Sequence, residues 1–202
     1  MSVGRLRIIA LVGIDGSGKT TLAMDLTRWL DANGIPAEYS ENPGGRLAID
    51  RFARRLGRGD ARRLLGRRLF AVVESCVRWL AIARGLLLAR LKGRLAVMDR
   101  YSCCQVVVMR AREDPGMRWV RRFYGVFPDP DATFFMMVPP ETAKHRIDAR
   151  GYDSEPLSYL SALDYAYRTL PEFREFIIVD ADAPLEVVQQ RLRDAVRKVL
   201  DA

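Results

Sequence analysis

Gly13-Ile14-Asp15-Gly16-Ser17-Gly18-Lys19-Thr20 is the stretch of this chain best equipped for chemistry. Its spacing fits G-x-x-x-x-G-K-(S/T), a loop whose backbone N–H groups close around phosphate oxygens. Gly13, Gly16 and Gly18 let the backbone curl into an anion-binding concavity. Lys19 can reach the β- and γ-phosphates of a nucleoside triphosphate, and the Thr20 hydroxyl can ligate Mg²⁺. Such a loop belongs between a strand and a helix N-terminus, whose partial positive charge favours the anion. Both flanks are present. Residues 6–12 form an apolar, β-branched run suited to a buried strand. From Thr21 onward, apolar residues fall at Leu22, Leu26, Trp29 and Leu30, which is helical spacing.

Four further strands are expected to carry the remaining chemistry. Residues 36–40 read as the second strand, followed by the turn Glu41-Asn42-Pro43-Gly44-Gly45. Residues 95–99 read as the third and place Asp99 at its carboxyl end, directly before Arg100. Asp99 at a strand end also suits a helix N-cap, but Arg100 and the glycine-rich loop in the same chain favour a site. Residues 132–138 and 176–180 complete the set. Helices are expected from Thr21 to Leu30, closed by Asp31-Ala32-Asn33-Gly34, and over 47–56, 64–91, about 103–112, 117–124, from Pro140 to about Ala149, 157–169 and 185–200. Gly85 is a possible interruption of the long one. That helix carries Leu65, Leu69, Val72, Val73, Cys76, Leu80 and Ala83 on or near one stripe, so it is either deeply buried or packed against another subunit. Residues 151–156 are polar and charged, as a lid over about 146–157 would be. Strands alternating with helices predict an α/β fold: a five-stranded parallel sheet of the P-loop NTPase type, with helices on both faces. No linker divides residues 1–202, so one domain is expected.

Composition sets limits. Of 202 residues, 49% are hydrophobic and 29% charged, as in an ordinary globular domain. No apolar run is long enough for a membrane span. Cys76, Cys103 and Cys104 have neither metal-binding spacing nor an even disulfide pattern, which suggests reduced thiols in a cytoplasm. The net charge is +8, and nine arginines lie between Arg46 and Arg68. With only Phe52 interleaved, a solvated helical face is preferred to a nucleic-acid surface. His145, the single histidine, reads as surface or lid packing rather than a catalyst. Trp29, Trp79 and Trp119 read as core or interface. Cys103 beside Arg100 invites a lowered pKa but has no visible base partner, so a buried structural thiol is expected.

Taken together, these stretches resemble the bacterial thymidylate kinases, P-loop enzymes that act on nucleoside monophosphates. The likeness is carried by the loop 13–21, by Pro43-Gly44-Gly45, and by Asp99-Arg100-Tyr101, similar to the family's D-R-(Y/F). It continues through Pro140-Glu141 to Arg146 and Arg150-Gly151, and ends at Asp180-Ala181-Asp182-Ala183-Pro184-Leu185. The resemblance implies ATP and Mg²⁺ as cofactors. ATP would be held by Gly13, Asp15, Gly16, Ser17, Gly18, Lys19, Thr20 and Thr21, with Arg146 and Ala181 on the adenine side. Thr20 and Asp99 would serve the metal. Lys19, Asp15, Arg100 and Arg150 would be catalytic, with Asp15 near the acceptor's sugar, Arg100 on its phosphate and Arg150 in the lid. A homodimer is also implied.

The departures cluster on the acceptor side. Glu41 and Asn42 stand where the family has R-E. Glu74 stands where it has an acceptor-binding arginine, and Arg67, Arg68 or Arg78 could replace that ligand from a neighbouring turn. Residues 102–109 are largely apolar where base-reading groups are expected, and Glu155 replaces a common lid arginine. The expected activity is transfer of the ATP γ-phosphoryl to a nucleoside monophosphate, dTMP by default. A kinase for another small acceptor, with Glu41 as a base, and a non-catalytic nucleotide-binding module are the alternatives.

Overall fold

A computed structural model describes residues 7–42, 61–151 and 154–201. Its strands are β1 (Ile8–Val12), β2 (Ala37–Glu41), β3 (Leu95–Asp99), β4 (Ala132–Met137) and β5 (Ile177–Asp180). The helices are α1 (Lys19–Ala32), α2 (Ala61–Lys92), α3 (Ser102–Ala111), α4 (Met117–Tyr124), α5 (Pro140–Arg150), α6 (Leu157–Arg168) and α7 (Leu185–Leu200). A short 3₁₀ turn, Pro171–Glu175, follows α6. The expected turn at Pro43-Gly44-Gly45 and helix over 47–56 lie outside the described residues.

The five strands form one parallel sheet in the order β2-β3-β1-β4-β5. β1 and β3 are buried along their whole length, which explains why they read as continuous apolar runs rather than alternating ones. α1 and α7 cover one face, through Leu22, Leu26, Leu30, Val188, Leu192 and Val196. α2, α3 and α6 cover the other, through Ile82, Leu86, Val106, Val107, Leu160 and Leu163. β1 is central, so the loop that leaves its carboxyl end emerges between the ends of β3 and β4. Open parallel sheets bind ligands in that crevice.

α2 departs from expectation in two ways. Gly85 does not interrupt it; the break is at Gly66, where φ is 71° and ψ is 159°. Gly85 is instead the point where the helix rests on β2: a Cβ there would lie 2.1 Å from Ser40 Oγ. The apolar stripe is also not the buried one. Leu69, Val72 and Leu80 are 50%, 43% and 62% exposed. The inward face carries Phe70, Ala71, Glu74, Ser75, Arg78 and Ile82, all buried. Of the two expectations for this stripe, burial within the chain is therefore not met, because polar residues occupy the inward positions.

In an exposed helix, glycine to alanine gains about 1 kcal/mol. Gly85→Ala is expected to destabilise this protein by roughly 1–3 kcal/mol, the usual cost of overpacking. Urea denaturation should show the loss, and adding Ser40→Gly should recover most of it.

Candidate functional site

The loop between β1 and α1 is shaped by close backbone approaches. Gly16 has φ of 84°, and a Cβ on it would lie 2.5 Å from the Ala143 carbonyl oxygen of α5. A Cβ on Gly13 would lie 2.8 Å from the Met136 carbonyl oxygen. No side chain fits at either place, so the loop is pressed against β4 and α5. Lys19 opens α1 and is buried. Its ammonium donates to the Ile14 carbonyl at 2.6 Å and to Ser17 Oγ at 3.2 Å, so it folds back over the loop it will serve.

Asp99 ends β3, fully buried. The strand register puts it beside Leu11 of β1, one residue short of the end of the strand that feeds the loop. Thr20 Oγ1 donates to Asp99 Oδ2 at 2.5 Å, and Tyr39 Oη lies 3.5 Å from the same oxygen. Oδ1 of Asp99 is buried and makes no hydrogen bond; the Arg100 guanidinium lies 3.5 Å away. The buried, incompletely satisfied carboxylate and the adjacent hydroxyl are hard oxygen donors of the kind Mg²⁺ takes, and this ion needs few protein ligands when phosphates and water supply the rest.

Arg100 ties the strand to the loop. Its guanidinium pairs with Asp15 as well as Asp99, while its own N–H donates to the Leu11 carbonyl at 3.0 Å. Its backbone has φ of 72°, a left-handed conformation that costs a non-glycine residue roughly 1–3 kcal/mol. Asp15, Lys19, Thr20, Thr21, Arg100 and Arg150 share one cavity of about 160 Å³. A second cavity, about 260 Å³, adjoins it between Ser17, Gly18, Thr21, Arg146, Ala181 and Leu185. Arg146 donates to the Ala181 carbonyl at 3.0 Å across it. The structure thus brings together every expected site residue except Gly13, which forms the loop's base.

The charges in the first cavity are mutually compensated. Burial raises the pKa of Asp15, but the Arg100 and Lys19 charges outweigh it and hold the carboxyl well below the usual carboxylate range. Burial lowers the affinity of Arg100 for its proton, and Asp15 and Asp99 more than restore it. Lys19 is brought down to about 8, by burial first and by Arg100 second, against the pull of Asp15 and Asp99.

On the acceptor side the structure separates the three arginines. Arg67 is committed to the turn after α3, donating to the Arg112 and Glu113 carbonyls. Arg68 lines an apolar groove beside Trp119. Arg78 is buried and donates to Glu74 Oε1 at 3.3 Å. The second oxygen of Glu74 accepts from Arg112 at 2.8 Å, and Arg112 also donates to Tyr159 Oη at 3.1 Å. Gln105 and Asn42 are buried polar residues beside them. The apolar reading of residues 102–109 missed Gln105, whose only sequence signal is a polar residue inside a valine-rich helix.

Elsewhere, His145 is exposed on α5, and Glu155 is buried just before α6. Trp79 stacks on Phe123, with centroids 5.3 Å apart. The lowered thiol is Cys104, not Cys103: hydrogen bonds from Cys103 and Tyr167 and the Arg100 charge outweigh its burial, while Cys103 is pushed up by its bond to Cys104.

A glycine loop on the central strand, a buried carboxylate on its neighbour and a side cavity between α1, α5 and α7 define a P-loop nucleotide kinase. The comparisons narrow this class. The family model described as thymidylate kinase matches residues 11–192, and the chain belongs to the thymidylate kinase family. It is 29% identical over 200 residues to a probable thymidylate kinase of Archaeoglobus fulgidus, spanning 96% of both chains. It is 28% identical to one of Pyrococcus abyssi, over 95% of this chain and 96% of that one. A thymidylate kinase of Xanthomonas oryzae is 32% identical over 149 residues, 71% of this chain and 61% of the relative.

Lys19 makes stability depend on pH. Its folded pKa lies below the unfolded lysine value, so between about 8 and 10 the unfolded chain binds more protons and stability rises with pH. The wild type should gain roughly 1–3 kcal/mol relative to Lys19→Met between about pH 7 and about pH 10. Urea denaturation of both proteins at the two pH values measures it.

Proposed function

We propose that this protein transfers the γ-phosphoryl group of ATP to a nucleoside monophosphate, with dTMP as acceptor. The observation that supports it most directly is the convergence of Lys19, Thr20, Asp99, Arg100 and Asp15 at the mouth of the central strand, in a chain of the thymidylate kinase family. Gly13, Gly16, Ser17, Gly18 and Thr21 cradle the triphosphate, and Lys19 leaves the Ile14 carbonyl to neutralise its β- and γ-oxygens. The adenine occupies the cavity beside Arg146 and Ala181. Thr20 and Asp99 would hold Mg²⁺, which would supply neutralisation of the charge on the transferring phosphoryl group.

The chain's own residues do the rest by positioning. Arg100 exchanges one carboxylate partner for the acceptor's phosphate, which its planar fork can grip with two parallel hydrogen bonds. Asp15, released from that pair, faces the acceptor's sugar. Arg150, at the end of α5, lies on the rim of the phosphate cavity, and the segment over about 146–157 acts as a lid that excludes water. Two copies pair through the exposed α2 stripe around Leu69, Val72 and Leu80; Leu80→Glu should then sediment as a monomer. Three free thiols favour work in a reducing cytoplasm.

Lys19→Ala should reduce ADP formation with ATP and dTMP at least about a thousandfold, since preorganised charge stabilisation is commonly a dominant catalytic contribution. The circular dichroism spectrum should be preserved. Near wild-type turnover in a folded Lys19→Ala protein would refute this assignment.

A further inference from the structure

Arg100 holds its left-handed conformation, with φ of 72°, in the short turn between β3 and α3. Peptide units are planar, so the backbone angles of Arg100 are set by the orientations of the two units that flank it. Both of their N–H groups are taken. The Arg100 N–H donates to the Leu11 carbonyl at 3.0 Å, which ties the first unit to β1. The Tyr101 N–H donates to Cys104 Sγ at 3.4 Å, which ties the second unit to the first turn of α3. The Tyr101 ring is anchored as well, since its hydroxyl donates to the Pro128 carbonyl at 2.8 Å.

The sulfur is the unusual partner in this set. Tyr101 is the N-cap of α3, and Cys104 is the third residue of that helix. A side chain at that place can reach back to the N-cap N–H, a task that glutamate or glutamine usually performs. Here Tyr101 and Cys104 are each 2% exposed, so an N–H deprived of the sulfur would have no water to turn to. Burial raises the pKa of the Cys104 thiol, but hydrogen bonds from Cys103, Tyr167 and the Tyr101 N–H, with the Arg100 charge, more than reverse it. A sulfur that gathers donors in this way is a stronger acceptor than an ordinary thiol. Tyr167 belongs to α6, so the acceptor is braced from a second helix.

We infer that Cys104 is a positioning residue for Arg100: its sulfur fixes the peptide unit after Arg100, and so the turn from which the guanidinium serves the acceptor's phosphate. The inference rests on the kinase reading above. Ion pairs to Asp15 and Asp99 also hold the guanidinium. In the reaction Arg100 gives up one of these partners, and a strained backbone then needs anchors that do not depend on its own side chain. The Leu11 carbonyl and the Cys104 sulfur are those anchors. Without the sulfur, the peptide unit before Tyr101 rotates toward another acceptor, φ of Arg100 relaxes, and the guanidinium swings away from the phosphate. A displacement of about 1 Å in a positioning group can cost about a hundredfold in rate.

The test uses the whole protein with ATP and dTMP. Cys104→Ala should lower kcat/KM for dTMP at least about tenfold, with KM for ATP unchanged. Cys104→Ser, whose hydroxyl can accept the same N–H, should stay within about threefold of the wild type. In an Arg100→Ala background, Cys104→Ala should change kcat/KM by a factor of about one, because the residue it positions is gone. Cys104→Val fills the space without an acceptor and carries the test if Cys104→Ala does not fold. A folded Cys104→Ala or Cys104→Val with the wild-type kcat/KM for dTMP overturns the role. So does a loss that is equally large in the Arg100→Ala background, that serine does not recover, or that falls alike on ATP and dTMP. Each of these results leaves the kinase reading intact. A wild type that binds ATP and forms no ADP with any monophosphate would overturn the kinase reading itself.

Discussion

The ion pair between Arg100 and Asp15 joins the two halves of the site. Asp15 belongs to the loop leaving β1, and Arg100 to the turn leaving β3. Hydrogen bonds of the sheet bring those strands side by side, but their side chains would meet as two carboxylates, Asp15 and Asp99, with nothing between. Arg100 sits between them and reaches both. Its left-handed backbone is what allows this, and the ion pairs offset that strain. The site is thus a closed set of opposite charges. Lys19 is part of it, bent onto the Ile14 carbonyl. An arriving polyphosphate replaces protein partners that are already aligned, so it meets charges it does not have to organise.

α2 is the second determinant, and its physical logic is unusual. Its inward face carries Glu74, Ser75 and Arg78, while Leu69, Val72 and Leu80 face outward. A charged inward face is tolerable only if every charge is met. Glu74 is met twice, by Arg78 and Arg112. Removing one partner of such a set leaves a buried charge, which costs far more than the pair contributes. The arrangement is therefore held in one geometry. Close contact between Gly85 and Ser40 supports the same end, since it lets this helix lie near enough to β2 for Arg78 to stand beside Asn42.

Much of this was legible in the sequence. β3, α4 and α7 fall at the expected residues, and the other described strands differ by two residues or fewer at their ends. Those runs are long or strongly patterned, with turn residues at their borders. The nucleotide side was legible because a motif fixes it. The pairing of Thr20 with Asp99 follows from two signals 79 residues apart, a loop threonine and a strand-end aspartate. What sequence could not give was direction. Gly66 and Gly85 are both glycines in one helix; only the packing shows that the first breaks it and the second touches β2. The stripe on α2 left burial and a subunit contact both open, and only the packing shows that it turns outward.

The two halves of the site differ in how they are built, and this explains why they diverge differently. The phosphate-binding half is made of main-chain N–H groups, a helix end and a glycine that only lack of a side chain permits. Few substitutions can alter such a surface without breaking it, so any sequence that forms it must look much the same. The other half is made of buried side chains on α2 and α3, among them Glu74, Ser75, Arg78 and Gln105. There a guanidinium can come from one turn or the next, provided that a carboxylate braces it. The charge that departs from the family pattern at position 74 is the partner that braces the arginine four residues later. A departure from a family pattern at one position is therefore evidence about its neighbours on the same helix face before it is evidence of a changed substrate.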